Sequence, residues 1–273
     1  MPLTRMPAVA GRFYPDDPAE LSQMVDGMLT EAGGDARPAF GGIVPHAGLV
    51  YSGACAAHVF NRIAFAGITV ILAPNHTGRW DNWGGAGTWN SGSFLTPLGP
   101  VEVAEEFVFR LERDCELVAH DFAAHQFEHA VEVELPFLKR VAPASRLVPL
   151  VLAWDDWDRC ELLATALARV VAESSERVVL LASSDMTHYE TADIAASKDR
   201  KALQEVEQLD GAALLDVCRR EKVTMCGRAP AAVVLEASRQ LEAKRAKVVD
   251  YRHSGLVSGD DASVVAYAGV LIT

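Results

Sequence analysis

Residues 40–58 read FGGIVPHAGLVYSGACAAH, and this stretch indicates the class of fold. A short apolar run comes first, a turn with a proline and a histidine follows, and small and apolar residues then recur with helical spacing. The same succession is found further along the chain. It includes ITVILAP (68–74), SRLVPLVL (145–152), RVVLLASS (177–184) and a predicted helix from about Asp156 to Glu173. This alternation is typical of an α/β fold.

The apolar runs are hydrophobic on both faces, which favours a mostly parallel or mixed sheet covered by helices. The closing run, SVVAYAGVLIT, alternates less clearly, and we expect it nearer an edge of the sheet. The chain has 273 residues, of which 50% are hydrophobic. This is enough for one large domain with a substantial core, and we predict a single domain over residues 1–273.

Charge and cysteine usage limit the classes of function. The net charge is −12 and no long run of Lys and Arg occurs, which argues against nucleic acid because phosphate binding needs a basic surface. The five cysteines form no CxxC pair, so a reducing compartment fits better than a disulfide framework. No segment has the pattern of a signal peptide or the roughly 18 uninterrupted apolar residues of a membrane span. We expect a soluble, cytoplasmic protein without a membrane partner.

The segment Thr77–Pro100 resists assignment because it combines three tryptophans with many glycines. We predict an ordered loop or an irregular strand pair over one end of the sheet. Trp80, Trp83 and Trp89 are candidates for an aromatic wall around a flat ligand, and packing beneath the loop is the alternative.

Three of the predicted strands end in polar clusters. IVPHAG carries His46, ILAPNHTG carries Asn75 and His76, and LLASSDMTHYE carries Asp185 and His188. Ligands of open α/β sheets bind beyond the carboxyl ends of the strands, where such side chains can converge. The sequence therefore predicts a site at this edge of the sheet.

A metal is the natural occupant of that site. His46, His76 and Cys226 would provide two imidazoles and one thiolate, a donor set that suits zinc, copper or ferrous iron, and three protein ligands leave positions open for water or substrate. The alternative for Cys226, in the stretch TMCGRAP, is a buried and inert thiol. Arg228 and Asn75 are candidates for substrate binding, although an arginine near a helix start is also commonly solvated or ion-paired.

The stretch HQFEH, residues 125–129, matches the H-x-x-E-H of inverted zinc metalloproteases. On a helix, His125 and His129 would lie on one face as metal ligands, with Glu128 as the general base. The match is short and leaves the other candidate ligands unexplained. The residues that follow, AVEVELPFLKRVAP, have the pattern of an amphipathic helix that ends near a proline. We therefore place HQFEH at or just before the start of that helix. The sequence contains no G-x-S-x-G, Walker A or complete G-x-G-x-x-G motif.

Taken together, these motifs resemble the Memo family, also known in bacteria as AmmeMemoRadiSam system protein B. The resemblance extends over almost the whole chain and implies the three-layer αβα fold of class III extradiol ring-cleavage dioxygenases. Its motifs are AGRFYP, VPHAGLVYSGACAAH, ILAPNHTG, FEHAVEVELPFL, LASSDMTHY, MCGRAP and DDASVVAYAGVLI.

The resemblance implies roles for individual residues. The two histidines and the cysteine of the family's metal site fall on His46, His76 and Cys226, whereas the dioxygenases use two histidines and a carboxylate. The histidine of the SSD-x-x-H motif falls on His188, at the position of the dioxygenase acid/base, and that of the EH motif falls on His129. The chain departs from some relatives, which have histidines where this sequence has Thr77 and Glu134.

Two functions follow as expectations. The first is a non-haem metal enzyme of oxygenase or redox type acting on a small molecule, aromatic ones included, with Fe(II) as the expected metal and copper or zinc as alternatives. His188 and His129 would move protons, and Asp185 would orient a histidine. The second is a module that binds a peptide or phosphotyrosine in the same pocket without catalysis. The resemblance also implies a functional link to AMMECR-type and radical SAM proteins.

Overall fold

The computed structural model describes residues 3–81 and 85–273. The strands are β1 (Thr4–Arg5), β2 (Gly41–Val44), β3 (Ile68–Pro74), β4 (Ala86–Thr88), β5 (Ser93–Thr96), β6 (Gly99–Glu102), β7 (Val118–His120), β8 (Arg146–Leu152), β9 (Val178–Ser183), β10 (His188–Glu190), β11 (Ala246–His253) and β12 (Val264–Ile272). The helices are α1 (Pro18–Ala32), α2 (Leu49–Phe60), α3 (Glu105–Asp114), α4 (Phe122–Gln126), α5 (Leu135–Val141), α6 (Trp157–Ala172), α7 (Ala192–Glu207), α8 (Gly211–Arg220), α9 (Arg228–Gln240) and α10 (Gly255–Ser258). A 3-10 turn, Glu132–Glu134, precedes α5.

Nine strands of the described part of the chain form the central sheet. Their order is β10-β12-β2-β9-β3-β8-β4-β7, with β11 antiparallel along β12. The four central strands β2, β9, β3 and β8 are parallel, whereas β12 and β4 run antiparallel to their neighbours β2 and β8. The prediction of an α/β fold with a mixed, mostly parallel sheet is therefore confirmed. Strands β1, β5 and β6 form a separate small sheet.

Two groups of helices pack around this sheet. Helices α1, α2 and α5 contact one another, and α2 packs on β2, β11 and β12. In the other group, α9 packs on β2, β3 and β9 and contacts α6 and α8. The apolar side chains between these elements form one continuous cluster of buried residues. None of the described helices is long and apolar enough to cross a membrane.

Local chemistry explains why the helices begin where they do. The Asp156 side chain accepts a hydrogen bond from the Arg159 amide, and the Thr191 side chain does the same for Ile194, which satisfies free amide groups at the starts of α6 and α7. The helix predicted from about Asp156 to Glu173 is thus confirmed as α6, with Asp156 as its N-cap and Glu173 as its C-cap.

The segment Thr77–Pro100 is more regular than the sequence indicates. Strand β4 joins the central sheet between β8 and β7, while β5 and the start of β6 belong to the small sheet. The prediction of a loop or strand pair lying over the sheet was therefore wrong for β4, whose short AGT sequence carries no strand pattern. The closing run forms β12, close to the β10 and β11 edge of the sheet as expected.

Candidate metal centre

The carboxyl ends of the parallel strands bring the predicted site residues together. His46 lies two residues after β2, His76 two residues after β3, and Asp185 two residues after β9. Cys226 comes from the turn before α9. Strands β2, β9 and β3 are direct neighbours, so residues that are up to 180 positions apart in sequence meet at one rim of the sheet.

His46 is buried and held on both sides. Its backbone N–H donates to Asp185 Oδ1 (2.8 Å), and its Nδ1 lies 2.7 Å from Ser183 Oγ. Ser183 Oγ also lies 2.7 Å from the Ala130 carbonyl oxygen, which can only accept. The single hydroxyl proton therefore goes to Ala130, and His46 Nδ1 donates to Ser183. This tautomer leaves a lone pair on His46 Nε2, which faces Cys226 Sγ at 3.3 Å.

Glu128 organises the other two imidazoles. Its Oε1 lies 2.8 Å from His76 Nδ1 and 3.3 Å from His129 Nδ1, and its Oε2 accepts the His76 backbone N–H at 2.6 Å. The carboxylate therefore holds the proton of His76 on Nδ1, which leaves Nε2 of that ring free as a ligand, and its charge also lies close to the His129 ring. The side chain of His76 is 32% exposed, so the site is open to solvent on this side.

The three imidazoles form a compact cluster that can hold a metal ion. Each of His46, His76 and His129 offers one nitrogen, and these nitrogens lie within 4.8 Å of one another. His46 meets the other two rings edge-on, with centroids 5.1 and 5.4 Å away, whereas His76 and His129 stack at 4.5 Å with an interplanar angle of 29°. Sequence reasoning placed His129 in the pocket but did not count it among the ligands.

The electrostatics of the cluster favour neutral imidazole at two of its three histidines. Burial, assisted by the neighbouring His76 and His129, lowers the pKa of His46 well below its usual value. Burial also lowers the pKa of His129, to about 4. For His76, burial lowers the pKa, but the hydrogen bond and charge of Glu128 outweigh burial and raise it. At neutral pH His46 and His129 thus offer neutral nitrogen donors, the form that binds metals, whereas the raised pKa of His76 means that a metal competes with a proton there.

Cys226 lies beside His46 but does not belong to the compact group of ligand atoms formed by the three histidines. A tetrahedral zinc with bonds of roughly 2.0 Å to nitrogen and 2.3 Å to sulfur separates those two atoms by roughly 3.6 Å. The observed 3.3 Å between Cys226 Sγ and His46 Nε2 is close to this value. Burial raises the pKa of the Cys226 thiol, so its thiolate would depend on a bound cation.

Gly227 allows Cys226 to approach the sheet. A Cβ atom at this position would lie 2.2 Å from the Ser183 carbonyl oxygen and 2.5 Å from Ser184 Cβ, both far inside contact distance. Only glycine fits here without moving the backbone. The Gly227 N–H donates to Ser184 Oγ (2.9 Å), and the Asp185 N–H donates to Cys226 Sγ (3.3 Å).

His188 and Asp185 lie at the same rim. The His188 backbone N–H donates to Thr224 Oγ1 (2.7 Å), and its Nδ1 donates to the Thr224 carbonyl oxygen (3.1 Å), so its Nε2 also carries a lone pair. Asp185 holds His46 through backbone amides, while Ser183 and Glu128 orient the imidazole rings. Burial raises the pKa of Asp185 to about 6.

The stretch HQFEH does not form a protease-like site. Its first histidine, His125, lies in α4, and its Nε2 donates to the Gly87 carbonyl oxygen (2.9 Å), whereas His129 follows the end of that helix and joins the cluster. The two histidines therefore do not share a helix face. Glu128, considered above only as a protease base, binds two histidine rings.

A cavity of about 500 Å³ adjoins the cluster on its Cys226 side. Arg228 lines this cavity and forms an ion pair with Asp155 through two of its nitrogens. Asn75 also lines it, but its Oδ1 accepts hydrogen bonds from Thr77 and Gly78 and so shapes the turn. The other lining residues are Pro74, Gly78, Trp80, Leu152, Ala153, Trp154, Ala229 and Pro230.

The predicted aromatic wall is only partly present. Trp80 lines the cavity, whereas Trp89 is buried against Phe94 and Phe122 and serves packing. Trp83 lies outside the described residues. Trp154, which the sequence analysis did not single out, supplies the second indole.

Comparison with known proteins agrees with this arrangement. The family model described as Memo-like protein matches residues 5–271. A MEMO1 family protein of Methanopyrus kandleri is 38% identical over 98% of this chain and 99% of its own length. MEMO1 family proteins of Methanocaldococcus jannaschii and Methanosarcina acetivorans are each 36% identical over 98% of both chains. The chain therefore belongs to the Memo-like protein family.

Proposed function

We propose that this protein is a non-haem metal-dependent oxidoreductase of oxygenase type that acts on a small molecule, aromatic compounds included. The observation that carries the proposal is the approach of the Cys226 sulfur to within 3.3 Å of the free nitrogen of His46, beside two further imidazoles. His46, His76 and Cys226 are the proposed ligands. Fe(II) is the expected metal, and the sulfur donor also suits copper or zinc.

The stacking of His76 and His129 favours Cys226 over His129 as the third ligand. The lone pair of an imidazole lies in the plane of its ring. Two rings stacked at 4.5 Å with only 29° between their planes keep these lone pairs in two separate planes that are only slightly inclined to each other. They are therefore poorly placed to meet at one ion roughly 2 Å from each nitrogen. We assign His76 to the metal and His129 to proton transfer.

The remaining polar groups supply the acid/base chemistry. His188 Nδ1 has the Thr224 carbonyl oxygen as its acceptor, and His129 Nδ1 lies 3.3 Å from Glu128 Oε1, so we assign the Nε2 of each ring to take a proton from a substrate hydroxyl. Asp185 fixes the backbone of His46. A bound ion would supply a Lewis acid and a redox centre at open positions beside these residues.

The adjoining cavity is the proposed substrate site. Its volume of about 500 Å³ suits a small molecule, and the indoles of Trp80 and Trp154 can cover a planar ring. Arg228 can reach an anionic group if its partner Asp155 shares or releases it. The proposed reaction class rests on the resemblance to the Memo family and the dioxygenase-like fold that it implies, with which helices packed around a mixed sheet are compatible.

Anaerobic loading with Fe(II), and separately with copper, tests this function. We expect one ion per chain and oxygen uptake with catechol-like compounds. His46→Ala and Cys226→Ser should lose the ion, whereas His120→Ala, at an exposed histidine of β7, should retain it. Failure of the wild-type protein to retain any metal, or metal retention without turnover of any catechol-like compound, would count against the enzymatic proposal.

A second candidate function is peptide or phosphotyrosine binding in the same pocket. Tyr189, next to His188, is 79% exposed and has a φ of 60°, an uncommon conformation for an aromatic residue. Val50 and Tyr51, a few residues after His46, are exposed as well. Affinity for a phosphotyrosine peptide that survived both His46→Ala and Cys226→Ser but was lost in Tyr189→Ala would favour this function over catalysis.

A further inference from the structure

Glu134 is a buried carboxyl group without a partner. It lies in the 3-10 turn before α5, is 1% exposed, and has no hydrogen-bond partner for either carboxyl oxygen among the described residues. Buried polar side chains nearly always have a partner, so each exception asks for an explanation. A hydrophobic residue of similar size would fill the same space without burying a carboxyl group that has no hydrogen-bond partner.

The position of Glu134 connects it to the metal centre. Its carboxyl group lies beside the Ser183 hydroxyl, which in turn contacts His46 Nδ1 at 2.7 Å. The Ser183 proton is directed to the Ala130 carbonyl oxygen at 2.7 Å. Ser183 therefore lies between the carboxyl of Glu134 and a proposed ligand, and in this structure its hydroxyl donates to Ala130 rather than to Glu134.

The surroundings of Glu134 favour its uncharged form in the metal-free protein. Burial raises the pKa of its carboxyl well above the usual range, the Ser183 hydroxyl lowers it, and the negative charge of Asp185 raises it again. No cation pairs with Glu134 among the described residues. A divalent ion bound at His46, which contacts Ser183, would bring positive charge close to the Glu134 carboxyl. The attraction of this charge would favour the carboxylate form of Glu134.

We propose that Glu134 is a positioning residue that ionises when a divalent cation binds at His46, and that its carboxylate then accepts the Ser183 hydroxyl hydrogen bond in place of Ala130. The O–H bond of the Glu134 carboxyl breaks, and the proton passes to solvent. Ser183 keeps its proton and turns it toward Glu134. His46 Nδ1 continues to donate to Ser183, whose oxygen becomes a better acceptor, so that the imidazole becomes a stronger ligand.

This inference rests on the metal centre of the proposed function but not on its reaction. It explains why a carboxyl group, rather than an apolar side chain, is buried at position 134. It also separates two buried groups at the rim: the thiol of Cys226 loses its proton by binding the ion directly, while Glu134 loses its proton without touching the ion.

Proton release during zinc titration tests the proposal. Calorimetry at pH 7 in buffers with different ionisation enthalpies gives the number of protons released for each ion bound. Glu134→Gln should still bind one zinc per chain, release about one proton fewer than the wild type, and bind roughly 10-fold more weakly. Ser183→Ala should show the same deficit, because the carboxylate then lacks its hydrogen-bond donor. Asp199→Asn, at a buried carboxyl that contacts Thr187 and Tyr251, should leave the count unchanged.

Infrared spectroscopy of the wild-type protein gives a test that needs no variant to fold. The carbonyl stretch of a protonated carboxyl group should disappear when zinc is added, and Glu134→Gln should lack this change. An unchanged proton count in Glu134→Gln overturns the inference, and so does the persistence, in the zinc-loaded wild type, of the protonated band that Glu134→Gln lacks. Absence of zinc binding by the wild type would instead refute the proposed metal centre itself.

Discussion

Two regions meet at the 3-10 turn Glu132–Glu134, and they treat a buried carboxyl group in opposite ways. On one side, Glu132 forms an ion pair with Arg5 and accepts hydrogen bonds from the Ala8 N–H (2.8 Å), the Val9 N–H (3.0 Å) and the Tyr14 hydroxyl (2.5 Å). We call these four residues with Glu132 the N-terminal clamp. On the other side, Glu134 lies beside Ser183, and neither of its carboxyl oxygens has a hydrogen-bond partner among the described residues.

The contrast separates a carboxylate that stabilises the fold, Glu132, from a carboxyl group that can change its protonation, Glu134. The clamp fixes the backbone that carries the site, because Arg5 also donates to the carbonyl oxygens of His125 (3.1 Å) and Glu128 (2.5 Å). Phe13, between Val9 and Tyr14, lies against the His129 ring with centroids 4.8 Å apart. A fully partnered carboxylate holds one geometry, whereas an unpartnered one can change its protonation when a neighbouring charge arrives.

The largest effect should come from breaking the clamp. Glu132→Ala leaves the Arg5 guanidinium buried without its counter-ion, and removal of one partner of a buried ion pair costs about 3–5 kcal/mol. Urea unfolding of the metal-free protein measures this loss, and Glu102→Ala, at an exposed position of β6, is the control. A loss below about 1 kcal/mol would show that the clamp is not a tight structural element.

The next prediction concerns the pH dependence of stability that arises from His125, whose backbone carbonyl contacts the N-terminal clamp. Burial lowers the pKa of His125 to about 4, against roughly 6.5 for a free imidazole. Between these values the unfolded chain binds a proton that the folded chain does not, so the free energy of unfolding falls as pH falls. His125 accounts for about 3 kcal/mol of this loss. Unfolding curves at pH 7 and pH 4 should therefore differ less for His125→Gln than for the wild type, and equal differences would contradict the prediction.

Glu128 connects the clamp to the site and should give a smaller effect, on metal affinity. Glu128→Gln removes the negative charge that holds the Nδ1 proton of His76 and lies close to the His129 ring, and such changes weaken metal binding by about 10–100-fold. Competition with a chromophoric chelator measures this change. Glu112→Gln, at a carboxylate that binds Thr88 and Asn90, is a matched control and should bind metal like the wild type.

The smallest effect on folding is expected on the unpartnered side. Glu134→Gln replaces a neutral carboxyl with a neutral amide of nearly the same size, and no hydrogen bond is lost. The free energy of unfolding of the metal-free protein should change by less than about 1 kcal/mol. A loss comparable to that of Glu132→Ala would mean that the two carboxyl groups have similar structural roles, and the contrast between the two regions would disappear.

The sequence predicted which strand ends carry the site residues, but it did not predict the polar contacts that hold the backbone around the site in place. Apolar runs bounded by prolines and polar residues mark β2, β3 and β9, and this pattern was sufficient to place His46, His76 and Asp185 at one rim. The partners of Glu132 lie in the first 14 residues, more than 110 positions away. Hydrophobic periodicity carries no information about such polar pairing, so the clamp could not be predicted.

The roles of the glutamates were missed for a similar reason. Three of them, Glu128, Glu132 and Glu134, occur within seven residues and look alike in sequence. Their different surroundings arise only when the turn packs between the N-terminal segment and β9. The short strand β4 was missed because its three residues gain stability from pairing with β7 and β8 rather than from their own preferences.

The distance of 180 positions between His46 and Cys226 also has a consequence during synthesis. At typical elongation rates of 5 to 20 residues per second, roughly 10 to 40 s pass between the addition of the histidine and that of the cysteine. During this interval a growing polypeptide can present imidazoles but no sulfur. In the proposed site, the full donor set would therefore become available to a soft metal such as copper(I) only late in translation, when most of the sheet can form.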